Sequence, residues 1–106
     1  MKINIKGTDL LLTPSIKEYI EMRVAPLEKY LGATDEGDGI LAHVEISRTT
    51  RHHGKGDVYR TEINIDVNKN IARAEQTGED IRATIDEASL AIKHALVKYK
   101  EKHASH

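Results

Sequence analysis

The chain has 106 residues, 39% of them hydrophobic, with a formal net charge of -1 and no Cys, Phe or Trp. A length near 100 residues suits a single domain with one core, built here from Ile, Leu, Val and Ala with the four Tyr at its edges. Without Cys there are no disulfides, no thiolate nucleophile and no zinc site that depends on sulfur.

Residues 2–6, KINIK, alternate polar and apolar side chains and stop at Gly7, the pattern of a short strand. The opening MKINIKGTDLLL has too short an apolar run for a signal peptide or a membrane span, so the expectation is a soluble, cytoplasmic protein with no membrane partner. Thr13 before Pro14 is a helix start: the Thr oxygen caps a free amide, and Pro lacks the amide that would otherwise be unpaired. Ile16, Tyr19, Ile20, Val24, Leu27, Tyr30 and Leu31 then recur at helical spacing. Pro26 interrupts that stripe, which predicts a kink near Met22 to Pro26 within one helix rather than two separate helices. The run 32–39, GATDEGDG, has no apolar period and reads as a loop.

In 40–47, ILAHVEIS, Ile40, Ala42, Val44 and Ile46 share the inward face of a half-buried strand. A basic loop follows. In 58–67, VYRTEINIDV, the inward set is Tyr59, Thr61, Ile63, Ile65 and Val67, and Asn68, Lys69 and Asn70 form a tight turn into 71–77, where Ala72 and Ala74 share a face. Gly78 and Asp80 open a last helix with the stripe Ile81, Ile85, Ala88, Ile92, Ala95, Leu96 and Tyr99, and lysines crowd its end, where cations suit the helix dipole. The order is β-α-β-β-β-α, an α+β fold. Its first crossover should be right-handed and join parallel strands, and both helices should cover one face of a four-stranded sheet. The expected domain is 1–106, with a core to about residue 102 and a short polar tail, 103–106.

Signatures of catalysis are missing. There is no G-x-S-x-G, and Ser15, Ser47, Ser89 and Ser105 have no activating neighbours. GKG at 54–56 lacks the spacing of a phosphate loop. The acids Glu79, Asp80, Asp86 and Glu87 read as solvated or as caps of the helix dipole. His43, His52, His53, His94, His103 and His106 include no pair spaced to hold one ion on a single face. The expectation is a protein that is not an enzyme, with no metal, no cofactor and no small-molecule substrate.

Charge is more informative. From Asp9 to Glu45 there are eight acids against three bases; from Ile46 to Arg73 there are six bases against three acids; from Lys93 onward four lysines face Glu101 alone. Two basic regions therefore lie within a nearly neutral chain: the segment 47–60, SRTTRHHGKGDVYR, and the end of the last helix. Such patches are the electrostatic footprint of phosphate binding, and Arg can also stack on unpaired bases. The same loop composition also describes a plain solvated connection. On a helical wheel Ala83, Leu90 and Val97 lie opposite the core stripe. That repeat is either ordinary scattered exposure or a contact for a partner helix or a second copy, which is the alternative reading: a protein-interaction module, or a weak homodimer.

The opening INIKGTDLLLTPSIKEYIEMRVAPLEKYL and the closing GEDIRATIDEASLAIKHALVKYKEK, which is similar to the family's E-D-x-Y-x-A-I-D and K-Y-K-x-K signatures, resemble the short-form ribosome hibernation promoting factors of the ribosome-associated inhibitor and ribosomal subunit interface protein family. The resemblance spans nearly the whole chain. It implies a fold similar to double-stranded RNA-binding domains with an added first strand. It also implies a translation silencer that occupies the decoding region of the small ribosomal subunit and excludes messenger and transfer RNA through basic contacts to ribosomal RNA. By position it carries over Arg23, Arg73, His94, Lys98, Lys100 and Lys102. Arg82 stands where the family has Tyr, Ala91 where Lys is common and Pro26 at another often basic position, so the helices are poorer in charge than is usual and the longer basic loop compensates. With the loop and helix-end residues, the expected RNA-binding set is Arg23, Arg48, Arg51, His52, His53, Lys55, Arg60, Arg73, Arg82, Lys93, His94, Lys98, Lys100 and Lys102. The expectation is a short form without the long form's second domain, which leaves pairing of ribosomes open.

Overall fold

The structure, a computed structural model, describes residues 1–31, 40–49, 58–67 and 70–104; at 67, 70 and 102–104 this covers the backbone alone. Four strands, β1 (Lys2–Thr8), β2 (Leu41–Arg48), β3 (Tyr59–Val67) and β4 (Asn70–Gly78), form one sheet in the order β1-β2-β3-β4. β1 pairs with β2 in parallel, and β2, β3 and β4 form the antiparallel meander expected from their alternation. The helices α1 (Pro14–Val24) and α2 (Ile81–Ala104) lie on the same face of the sheet, α1 between β1 and β2 in the chain and α2 after β4.

Register explains which face is buried. Ile3, Ala42, Ile65 and Ile5, Val44, Ile63, Ala74 stand opposite one another across the strands and meet Ile16, Ile20, Val24, Leu27, Ile85, Ala88, Ile92 and Leu96 from the helices. The other face is mostly polar, with Ile71 exposed on it. Among the described residues, no helix is long and apolar enough to cross a membrane.

α1 starts as its sequence requires, with Thr13 Oγ1 accepting from Ile16 N at 3.2 Å and Pro14 in the first turn. The kink expected at Pro26 takes a different form. The α-helix ends at Val24 and the chain tightens into a 3₁₀ segment, Ala25–Tyr30, with Pro26 in its first turn, where the missing amide costs no hydrogen bond. The apolar stripe survives the change, because Leu27 and Leu31 remain buried.

α2 also differs from expectation in two places. It continues to Ala104, two residues into the expected tail. Its buried stripe includes Thr84 and Ser89, both absent from the apolar reading. Thr84 Oγ1 donates to Ile81 O at 2.7 Å and lies 2.9 Å from Thr61 Oγ1 on β3, so it accepts from the Thr61 hydroxyl inside the core. At its start Asp80 Oδ1 accepts from Arg82 N at 2.9 Å, the cap read from the sequence. Val67, expected inward, and the loop at 32–39 lie outside the described side chains and residues respectively.

Candidate nucleic-acid interface

The topology separates the two basic regions that the charge count found. Both helices run antiparallel to β1 and β4, so α2 ends beside the start of β1 and β2, whereas β2 ends at Arg48 and β3 begins at Tyr59 at the other end of the sheet. With about 1.5 Å of rise per residue, α2 carries its final lysines roughly 26–32 Å from its own start. Arg48 is exposed at the tip of β2, and Thr49 N donates to Val58 O at 2.8 Å to extend that hairpin. The loop residues Arg51, His52, His53 and Lys55 lie outside the described residues.

The open face of the sheet holds Arg60 and Arg73, and both already have carboxylate partners. Arg60 is paired with Glu75 and, at 3.5 Å, with Glu62; Arg73 Nη2 meets Glu62 Oε2 at 2.5 Å. These contacts arise from register, which sets Arg60 opposite Thr77 and Glu62 opposite Glu75, so each Arg reaches a Glu on the diagonal. A phosphate approaching this face would compete with fixed anions. Arg60, expected with the basic loop, is placed on β3 in an ion-pair network with Glu62 and Glu75.

The helical face is different. α1 and α2 lie side by side and point the same way, so Ser15 is near Arg82, Tyr19 near Asp86, and Tyr30 near Lys93. Asp86 joins the helices: its Oδ1 accepts from the Tyr19 hydroxyl at 2.6 Å and from Arg23 Nε at 2.8 Å. The reading of Asp86 as merely solvated is corrected accordingly. That hydrogen bond raises the Tyr19 phenol above its ordinary value; loss of water and the Asp86 charge act the same way, against the Arg23 and Arg82 charges. Arg82 lies over the Tyr19 ring at 5.4 Å and donates to Ser15 Oγ at 3.0 Å.

Beyond Asp86 the helices open into a groove of ≈ 250 Å³. Arg23, Lys29 and Lys93 stand along it, and both lysines come within 6 Å of the Tyr30 ring centre, at 5.2 and 5.7 Å. Its apolar lining includes Met22, Pro26 and Leu90. Leu90, expected on the outer side of α2, thus faces this groove, while Ala83 and Val97 are half-buried rather than fully outward. Lys29 and Asp86 were not among the expected functional residues. Their signal is the helical spacing of residues 19, 22, 23, 26 and 30 against 86, 89, 90 and 93, which is read only once the two helices are known to be neighbours.

Past the groove, His94, Lys98 and Lys100 are exposed on α2, and no ion pair holds them among the described residues. Leu96 is the last fully buried position and Tyr99 the last that packs on the core, so the final turns project their charge into solvent. Lys102 continues the helix there. No group of three His, Asp or Glu among the described residues comes together as a metal site.

The family model described as Sigma 54 modulation protein / S30EA ribosomal protein matches residues 3–104. A ribosome hibernation promotion factor of Picosynechococcus sp. is 31% identical over 103 residues, covering 96% of this chain and 50% of that protein. One from Lactococcus lactis subsp. cremoris is 28% identical over 100 residues, covering 94% and 50%. The chain thus spans about half the length of the curated relatives it matches. The crystal structure of the Thermus thermophilus Protein Y N-terminal domain aligns with a TM-score of 0.72 at 26% identity, over 93% of this chain and 99% of that one. The resemblance carried by the two ends of the sequence therefore holds along its length, and the chain belongs to the Sigma 54 modulation protein / S30EA ribosomal protein family.

Proposed function

We propose that this chain is a ribosome-binding translation silencer that occupies the decoding region of the small subunit and sterically excludes messenger and transfer RNA. The observation that carries this reading is the run of unmatched cations on α2. On the sheet Arg60 and Arg73 are matched by glutamates, whereas on α2 Lys93, His94, Lys98 and Lys100 stand exposed without carboxylate partners among the described residues. A rigid helix bearing unmatched cations is suited to displace counterions from folded RNA. Membership of the family, and the printed names of the relatives as hibernation promotion factors, support the same reading.

Silencing by occupancy asks nothing of a nucleophile or a metal. It asks for a body that fills the channel and enough phosphate contacts to stay there. Sedimentation of the purified chain with small subunits, large subunits and intact ribosomes at two salt concentrations tests the binding. Competition with transfer RNA on programmed small subunits tests the exclusion. Co-migration with small subunits that weakens with salt and lowers transfer RNA occupancy is expected; co-migration that leaves transfer RNA binding intact would sink the steric mechanism.

A further inference from the structure

The groove between α1 and α2 combines features that phosphate binding alone does not require. Met22 and Leu90, one from each helix, remain 59% and 52% exposed there. Ser89, more than nine-tenths buried, lines the groove, and its solvent-shielded hydroxyl has no hydrogen-bond partner among the described residues. Arg23 is tethered through Nε to Asp86, which holds a planar guanidinium at the groove with its other N–H groups unspent on that carboxylate. A sugar-phosphate backbone needs the cations but neither the apolar walls nor a buried hydroxyl.

A nucleobase needs all of them. It has apolar faces, it stacks on guanidinium planes, its edge exchanges hydrogen bonds, and it brings a phosphate with it. At ≈ 250 Å³ the groove is below the roughly 300–1,000 Å³ of pockets for drug-sized ligands, which fits a single ring system. An acidic amphipathic helix would match the charge and the apolar walls, but it has no use for the buried hydroxyl and requires a longer trough.

We propose that this groove is a subsite for one unpaired nucleotide of a folded RNA, with its base against Met22 and Leu90, a base edge on Ser89 Oγ once that shielded hydroxyl turns toward the groove, and its phosphate on Arg23 and Lys93. The inference rests on the RNA-binding reading above and adds to it a preference for bulged or looped RNA over a paired stem, which offers no free base.

Three short RNA hairpins test it: a paired stem, the same stem with one bulged nucleotide, and that bulge made abasic. The chain has two methionines, so methyl-labelled Met gives two resonances and Met22 is read directly. The bulged RNA should bind roughly tenfold more tightly than either control, the scale of one base stacked in a protein site. It should also move the Met22 methyl upfield by ring current, which the abasic bulge cannot do. Leu90→Ser and Ser89→Ala should each lower its affinity toward that of the paired stem. Equal affinity for bulged and abasic RNA, or an unmoved Met22 methyl in the bound state, overturns the proposal. So does an acidic amphipathic peptide that shifts Met22 and expels the RNA, which would assign the groove to a protein partner. Failure to bind any of the hairpins overturns it too, and sedimentation with small subunits then separates the two readings: retained co-migration leaves the parent function standing.

Discussion

Asp86 accepts a hydrogen bond from Tyr19, 67 residues away in the chain, and pairs with Arg23 one turn further along α1. The exposure of Arg23 and Asp86, 44% and 38%, keeps this ion pair screened, so its value is in orientation more than in stability. Its signature is on the phenol. The folded state raises the Tyr19 pKa, so the neutral ring is favoured by folding: that contribution is complete below the ordinary tyrosine value of about 10 and is lost as pH climbs through the raised value. In a spectrophotometric titration one of the four tyrosines should therefore ionise last. Tyr19→Phe should remove that component and Asp86→Asn should move it back toward the ordinary range; an unchanged curve in Asp86→Asn would show that Asp86 is not its cause. None of this was legible from the residue itself, because an acid on a helix is usually solvated, and the partner that makes it different comes from the other helix.

At the scale of elements, the apolar stripe of α1 and the 3₁₀ segment was readable from Ile16 to Leu31, since a 3.6-residue period is written into the side chains whether or not Pro26 tightens the backbone. The seat of α2 was less so. Small side chains on β4, Ala72 and Ala74, let the helix come close, and Gly78 sits where an added Cβ would approach Thr84 Cγ2 to 3.1 Å. That close approach buries Thr84, whose Oγ1 donates to Ile81 O and is the acceptor for the Thr61 hydroxyl. Thr84→Val should cost about 1–3 kcal/mol, because it leaves the Thr61 hydroxyl buried with no partner. The double variant Thr61→Val with Thr84→Val should be destabilised by clearly less than the sum of the two singles, measured as urea midpoints at constant slope. Additive losses would mean that the two hydroxyls do not depend on each other. A sequence pattern built from apolar residues misses such a pair, because each Thr taken alone looks equally suited to solvent.

For the whole molecule, the distribution of matched and unmatched cations matters more than their number. Replacing Lys93, Lys98 and Lys100 together by Ala should reduce the magnitude of the salt slope of the proposed small-subunit binding by about 2–3, from a loss of about 0.7–0.9 per phosphate contact. Replacing Arg60 and Arg73 should change it by less than about 1, since Glu62 and Glu75 already neutralise them. The reverse order would move the RNA-facing surface from the helices to the sheet. The two basic regions of the sequence are not one patch: Arg48 and the terminal lysines stand at opposite ends of the sheet, because α2 runs back along β4.

By itself the sequence determined the elements, their order, the buried faces of the strands and the kinship of the chain, because these depend on periodicity and local capping, which neighbours in the chain supply. Tertiary structure alone decided which charges are spent and which are free, since that depends on who stands across a strand or across a helix pair. Register bound Arg60 and Arg73 to glutamates, and the parallel helices brought Arg23, Asp86, Ser89 and Leu90 to one groove. Electrostatic and packing partners are set by distance in space, and a linear reading carries that distance only within a turn or a hairpin.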